Sequence, residues 1–222
     1  LKDLIETCRT MAKAEFVNVH TTLGMKGGRN QIATVKVYQD KRGADRDPAK
    51  TVRVHALRNF LANYNNENTF SIPNLFKEAD DSLTMMQLER IAKYGVQSSV
   101  IMSGDKDLWM VEGLHCTQKT GEFYNVEGYG RTAWRDVGNT KPKLVGEGTS
   151  WFWHQMLHGD GADNIAGLPK LSGKLLNRYL PNKTYNAKRP AQACGEAKSF
   201  AVLHGVTSDK EACKRVFEAY ND

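Results

Sequence analysis

Residues 78–107 read EADDSLTMMQLERIAKYGVQSSVIMSGDKD, and the architecture of the chain turns on this stretch. Glu78, Asp80 and Asp81 place acids in the first turn of a helix, where the unpaired N–H groups leave the positive end of the macrodipole. The helix is predicted to run to about Lys93. Ser98 to Ser103 then reads as a short strand with Val100 and Ile101 at its centre, ending at Gly104 and Asp105. In open α/β sheets ligands sit beyond the carboxyl ends of strands, which is where Asp105 and Asp107 fall. Glu78 and Asp81 are three apart and share a helix face, and Asp80 joins them only if the helix begins near it.

Upstream, Leu4, Ile5, Cys8, Met11 and Ala12 have helical spacing, and Phe16, Val17 and Val19 begin a strand-like run to Leu23. Gly24 to Gly28 is rich in Gly and Lys, and YQDKRGADRDPAK at 38–50 is polar and punctuated by Gly43 and Pro48, so a mobile basic arch is expected over about 36–58. Val52 to Tyr64 is helical again until the Asn-rich stretch Asn63 to Asn68 ends it, and a new element begins near Pro73. Downstream, Leu114–Thr117 and Glu122–Val126 flank the turn Lys119-Thr120-Gly121 and predict a hairpin. After a Gly-rich linker near Gly138 to Gly148 come four predicted helices: Trp151–His158, Gly173–Leu180, Gln192–His204 and Ser208–Tyr220. Ser208 and Glu211 form an S-x-x-E capping box for the last. Helices alternating with strands, then helices alone, predict an α/β core over 1–148 followed by a helical subdomain over 149–222.

With 222 residues, 40 % hydrophobic and 25 % charged, the chain can bury a substantial core in one or two domains. No apolar run nears the roughly 18 residues of a membrane span, so a soluble protein is expected. Cys8, Cys116, Cys194 and Cys213 are scattered, which favours reduced cytoplasmic thiols over a zinc site or a disulfide framework. The chain begins at Leu1 without a charged-then-apolar leader, which reads as no secretory signal and as a segment missing upstream. Of the net charge of +6, residues 26–58 carry nine Lys/Arg against three acids and residues 164–195 carry six Lys/Arg and no acid. A basic track beside acidic clusters suits an enzyme that grips phosphates and holds metal ions; solvated loop faces account for the same charges equally well.

Three acidic groups carry the chemistry: Glu78-Ala79-Asp80-Asp81, Asp105-Lys106-Asp107, and Asp160-Gly161-Ala162-Asp163-Asn164, seven carboxylates together. Hard cations such as Mg²⁺ take oxygen ligands, and phosphodiester hydrolysis commonly uses two ions about 3.5 to 4 Å apart. Singly, each group has a plainer reading: an N-terminal charge preference, a turn, or an Asx-rich or calcium loop.

In their order these segments resemble the bacteriophage and bacterial 5′ nuclease family of flap endonucleases and polymerase-associated 5′ to 3′ exonucleases. EADDSLTMMQ is similar to the family's E-A-D-D helix, VIMSGDKDLWM to its strand ending in G-D-x-D, GDGADNIAGLPKLSGKLL to its G-D-x-x-D-N-I-x-G-x-P segment, and YQDKR at Tyr38–Arg42 to the Y-K-x-x-R motif of its DNA-threading arch. The match runs from roughly Leu4 to Leu180. It implies a PIN-like metal-binding core with a mainly parallel sheet, followed by a helical helix-hairpin-helix DNA-binding subdomain. It implies that Glu78, Asp80 and Asp105 hold the catalytic metal, Mg²⁺ or Mn²⁺, with Asp81, Asp107, Asp160 and Asp163 completing a two-ion cluster. Tyr38 and Arg42 would meet the scissile strand. Gly167–Gly173 resembles a helix-hairpin-helix loop, with Lys170 and Lys174 on duplex phosphates and K⁺ at the loop; Lys26, Arg29, Lys41 and Lys106 complete the DNA-binding set. The implied partner is DNA with a 5′ end or flap at a single-strand and duplex junction. The expected protein is a monomer without membrane contact, in the cytoplasm of a bacterial or phage-infected cell.

The chain departs from the family pattern in four places. Its first metal-bearing strand has no counterpart, Met25 stands where a second aspartate is expected, Gln39 replaces the arch lysine, and GLPKLSG replaces G-x-P-G-I-G. Glutamine cannot replace a lysine's point charge, so a DNA-binding relative with impaired catalysis is the alternative, and a small single-domain ribonuclease is a third. Trp109, Trp151, Phe152 and Trp153 read as packing residues. His154 and His158, four apart with no third ligand at fitting spacing, read as solvated or capping histidines rather than a zinc pair.

Overall fold

A computed structural model describes residues 1–24, 47–136, 138, 142–182 and 193–222. The chain is mixed α/β, with seven α-helices and four small sheets among the described residues. It forms two compact units, and the chain passes from the first to the second between Val126 and Glu127.

The first unit begins with α1 (Lys2–Met11) and β1 (Val17–Thr22), and continues through α2 (Pro48–Asn63), β2 (Thr69–Asn74) and α3 (Ala79–Tyr94). β1 and β2 pair in parallel, with Val17 opposite Thr69 and Thr22 opposite Asn74. Side chains alternate between the faces of a strand, and Asn18, His20 and Thr22 all meet α3. Val17, Val19 and Thr21 therefore point to the opposite face. The helix predicted from Val52 begins earlier, at Pro48, within the span of the expected arch. Asp47 caps that helix by accepting the Ala49 N–H at 2.9 Å, and Pro48 sits at the first helical position, where its fixed φ and missing N–H suit the backbone. Residues 25–46, the larger part of the expected arch, lie outside the described residues.

After α3 the predicted strand over 98–103 contracts to β3 (Val100–Ile101), preceded by a 3-10 turn at Val96–Ser98. β3 pairs in parallel with β4 (Gly113–Cys116), which forms the predicted hairpin with β5 (Phe123–Val126). Among the described residues the expected mainly parallel sheet is thus two separate ladders. A two-residue strand makes few ladder bonds, and α3, which packs on both ladders, is what connects them. Its anchor is the buried Gln87, whose Nε2 donates to Leu114 O at 3.3 Å and whose Oε1 accepts from Ser99 Oγ at 2.6 Å. Gly113, at φ 118°, gives Gln87 its space, since a Cβ there would stand 2.3 Å from Nε2. Ile101, Leu108 and Val111 form a small buried cluster against which Leu83 packs.

The second unit consists of β6 (Arg131–Arg135), β7 (Lys143–Glu147), α4 (Thr149–His158), β8 (Gly159–Asp160), β9 (Ile165–Ala166), α5 (Gly173–Tyr179), α6 (Glu196–Val202) and α7 (Asp209–Tyr220). Its core is larger and includes Leu157, Leu168, Leu171, Leu175, Leu176, Val202 and Val216. The stretch expected to be a Gly-rich linker contributes β7 from Lys143 onward, antiparallel to β6. The β6–β7 hairpin packs on α4, so the second unit starts ahead of the expected position at 149. Gly146 permits that packing: a Cβ there would lie 2.7 Å from Thr132 Cγ2 and 2.9 Å from Trp151 Cβ. Trp151 is buried as expected and Trp153 Nε1 donates to Asp209 Oδ1 at 2.6 Å, whereas Phe152 is exposed, its ring meeting only Trp153 edge-on at 5.0 Å among the described ring contacts. Ser208 Oγ accepts the Glu211 N–H at the start of α7, as the S-x-x-E motif predicts.

Candidate functional site

β1 and β2 run in the same direction and finish level with each other at Thr22 and Asn74. Thr22 Oγ1 accepts the Ala79 N–H at 2.8 Å, which fixes the start of α3 at the carboxyl end of the pair. Asn74, buried, holds the end of β2 to β1 by donating from Nδ2 to Thr21 O at 3.4 Å and to its own strand at Ile72 O at 3.0 Å. Glu78, the N-cap, is buried to 9 % exposure. Asp81 Oδ2 accepts the Glu78 N–H at 3.1 Å, and the Glu78 carboxylate accepts the Asp81 N–H in return. This capping box satisfies two of the orphan donors of a helix start. It also brings Glu78 and Asp81 together, as their spacing predicts, and the helix begins close enough to Asp80 to include it in the first turn.

His20 and Ser82 complete this end of the unit. His20 Nδ1 lies 2.9 Å from Ser82 Oγ, one residue beyond Asp81. Burial, with a smaller contribution from the Lys77 charge, pushes the imidazole pKa down to about 4, so the ring is neutral at neutral pH. Neither residue belongs to a motif in the sequence. The signal for His20 is the polar alternation of Asn18, His20 and Thr22 along β1; Ser82 carries no comparable signal.

Asp105 follows β3. Its N–H donates to Ser103 Oγ at 3.1 Å, and its Oδ1 accepts the Asp107 N–H at 3.0 Å, which caps the 3-10 turn Lys106–Met110. Lys106 Nζ is 3.7 Å from Asp107 Oδ1; an ion pair this exposed is worth only about 0–1 kcal/mol. Leu83, two residues after Asp81, packs against Ile101 and Leu108, which bracket Asp105 and Asp107 in sequence. The two acidic segments of the first unit are thus anchored on one apolar cluster. Trp109, next to Leu108, is half-buried.

Asp160 and Asp163 belong to the second unit. Asp160 sits in the two-residue strand β8 and accepts the Ala162 N–H at 2.8 Å, and Asn164 turns the chain with φ 59° back into β9. Gly167 opens the expected phosphate-binding loop where two backbone segments touch: a Cβ there would stand 2.3 Å from His158 C and 2.5 Å from Gly159 N. Ser172 Oγ accepts the Leu175 N–H at 3.1 Å, and the Ser172 N–H donates to an anion of the chain itself, Asp222 Oδ2, at 3.1 Å. Lys170 and Lys174 are exposed. His154 corrects the expectation of a solvated or capping histidine. It is 2 % exposed, with Nδ1 3.1 Å from Ser199 Oγ and Nε2 3.0 Å from Thr132 Oγ1, and burial, then the neighbouring His158, pushes its pKa down to about 4. Its partners lie 22 and 45 residues away in the chain, beyond any local sequence signal.

Of the expected DNA-binding residues, Lys26, Arg29, Tyr38, Lys41 and Arg42 lie outside the described residues, as do Met25 and Gln39. Among the described residues no three His, Cys, Asp or Glu side chains are grouped to hold a metal ion. The donor type fits a hard divalent cation, since every expected ligand is a carboxylate, and Glu78, Asp80 and Asp81 stand where parallel strands end. A carboxylate has two oxygens, so a backbone bond to one does not by itself bar a metal bond to the other. All four cysteines are free thiols, and no helix of the described residues is long and apolar enough to cross a membrane. Comparisons with protein families, with curated proteins and with solved structures find no match to the chain.

Proposed function

We propose that the protein is a metal-dependent 5′ to 3′ exonuclease or flap endonuclease with a PIN-like core, hydrolysing DNA phosphodiesters near single-strand and duplex junctions. The observation that carries the reading is the placement of Glu78, Asp80 and Asp81 at the carboxyl end of a parallel strand pair, tied by Leu83 to the cluster that flanks Asp105 and Asp107. Glu78, Asp80 and Asp105 would hold the first Mg²⁺ or Mn²⁺, with Asp81 and Asp107 as further ligands of the same unit. A bound pair of such ions supplies an activated water and stabilises the entering and leaving oxygens of an in-line displacement.

The chain's own residues do the positioning. Thr22 holds the carboxylate-bearing helix start against the strand ends, which Asn74 ties to each other, and Leu83 packs the helix on the cluster that flanks the Asp105 turn. In the second unit, Lys170 and Lys174 project from the Gly167–Gly173 region as point charges for duplex phosphates, which position DNA without reading its sequence. The separate arrangement of the carboxylates among the described residues, together with Met25 and Gln39, favours a second reading, a DNA-binding relative with impaired catalysis.

Mn²⁺ binding separates the two. Titration of Mn²⁺ followed by electron paramagnetic resonance should show bound ion in the native chain and at least tenfold weaker binding in Asp105→Asn. Asp105 is exposed, so this change spares the core. Equal binding by both proteins would remove Asp105 from the metal site, and no binding by either would leave the DNA-binding reading.

A further inference from the structure

The β6–β7 hairpin has one edge met by a helix and one edge open. In an antiparallel pair, residues directly opposite each other alternately exchange both backbone bonds and point both sets of groups outward. The Leu144 N–H points outward, donating to Glu196 Oε2 at 3.2 Å, so the pair Leu144–Trp134 is an outward one, and by alternation so is Gly146–Thr132. On the β7 side the edge is met by α6, which carries Glu196. On the β6 side Thr132 and Trp134 direct N–H and C=O groups outward, and among the described residues none of these has a backbone partner. Open space lies beside the start of that edge, a cleft lined by Gly130, Arg131 and Thr132 together with Leu203, Gly205 and Thr207 from the turn after α6.

The charges along the edge decide what can pair with it. Thr132 faces His154 and Trp134 faces Phe200, so Arg131, Ala133 and Arg135 share the opposite, solvent face of β6. Across the ladder Arg131 Nε donates to Glu147 Oε1 at 2.8 Å, but Arg135 lies opposite Lys143. Arg135 and Lys143 are exposed, and neither has an ion-pair partner among the described residues; the adjacent acid, Asp136, accepts the Gly138 N–H at 3.0 Å within its own turn. Like charges directly opposite each other destabilise a sheet, and charge on an edge strand guards it against unwanted pairing. Here the guard is selective. A second copy added antiparallel about Ala133 would set Arg131 against Arg135 twice, whereas a strand with carboxylates opposite both would be attracted.

We propose that the free edge of β6 takes up an extended acidic segment of a partner protein as a third strand. Thr132 and Trp134 bond to its backbone, and Arg131 and Arg135 face carboxylates four residues apart, a spacing that holds for either strand direction because side chains repeat every second residue. A peptide fits this edge better than a nucleic acid does, because the exposed C=O groups need donors and a phosphate backbone offers acceptors alone. The edge belongs to the second unit and needs no metal, so it stands or falls separately from the proposed cleavage reaction.

The test is fluorescence anisotropy of the labelled peptide Thr-Glu-Val-Thr-Val-Glu-Thr, titrated with the full chain in chelator. The native chain should bind it at least tenfold more tightly than the same peptide with lysine for glutamate. It should show the same preference over the glutamate peptide N-methylated at both valines, which keeps the charge and loses the donors for the β6 edge. Amide exchange at Thr132 and Trp134 should slow at least tenfold on binding. Arg135→Glu, at an exposed position, should weaken binding about tenfold, since a cross-strand attraction becomes a repulsion, whereas Lys214→Ala, an exposed charge loss on α7, should stay within about twofold. No binding of the glutamate peptide, equal binding of its N-methylated form, or unchanged binding in Arg135→Glu would overturn the proposal. So would binding of a twelve-residue oligothymidylate in place of the peptide, lost in Arg135→Glu, which would assign the face to nucleic acid.

Discussion

The Thr22 hydroxyl accepts the Ala79 N–H at 2.8 Å, and through that bond the last residue of β1 fixes where α3 begins. The partners are 57 residues apart in sequence, and the bond satisfies one of the donors that a helix start leaves unpaired. Thr22→Val removes the acceptor while keeping the shape. It should destabilise the protein by about 1–2 kcal/mol, because a half-buried N–H is left unpaired, while Thr22→Ser should stay within about 0.5 kcal/mol. Urea unfolding of the three proteins measures this directly.

His154 makes stability depend on pH in a defined direction. Its imidazole takes up a proton near 6.5 in the unfolded chain but only near 4 in the fold. Between those values the unfolded state binds more protons, so acid favours unfolding. Stability should be full above about pH 6.5 and fall progressively toward pH 4, by up to about 3 kcal/mol for a shift of this size. His20 is shifted the same way, so His154→Gln should flatten the profile without abolishing it. Thermal unfolding across pH 4 to 8 checks both slopes; a profile rising toward acid would contradict the burial of neutral His154.

Gly167 permits a backbone approach that no side chain can share. Gly167→Ala should cost about 2–3 kcal/mol, since the added carbon meets backbone atoms of His158 and Gly159 rather than a movable side chain. Gly161→Ala, with nothing within 4 Å of the added carbon, should be nearly neutral. Denaturant midpoints of the two variants provide the comparison.

Lys170 and Lys174 bear on the proposed grip on duplex DNA. Each Lys→Ala variant should weaken duplex binding regardless of sequence and lower the slope of log K against log salt by about one. Fluorescence anisotropy over a salt series measures it. An unchanged slope would remove that lysine from the phosphate contacts.

The helices were legible in the sequence where their pattern was long or capped. Residues 79–94 and 209–220 carry acids and caps at their starts, and those local interactions survive in the fold as the Glu78–Asp81 box and the Ser208 cap. The β4–β5 hairpin was legible for the same reason, because its turn residues and alternation are local. What the sequence hid is set by distant partners. β7 reads as linker in the sequence because Gly146 and Gly148 look like breakers, whereas the role of Gly146 is to admit Trp151 and Thr132. The three acidic segments were each visible, and Glu78 and Asp81 meet as their spacing implies. The bonds that position them, from Thr22 to Ala79 and from Leu83 to the Ile101–Leu108 cluster, join elements far apart in the chain, so no window of sequence contained them.

The central claim is that these carboxylates cut DNA with a bound metal, and the most direct measurement is cleavage of a 5′-end-labelled flap duplex. The native chain should release a short 5′ product with Mg²⁺ and none with chelator. The variant Asp105→Ala with Asp107→Ala, which alters a turn at the surface rather than the core, should lose cleavage by at least a thousandfold while binding duplex within about threefold of the native chain. Cleavage retained by that variant, or undiminished by chelator, would contradict the account.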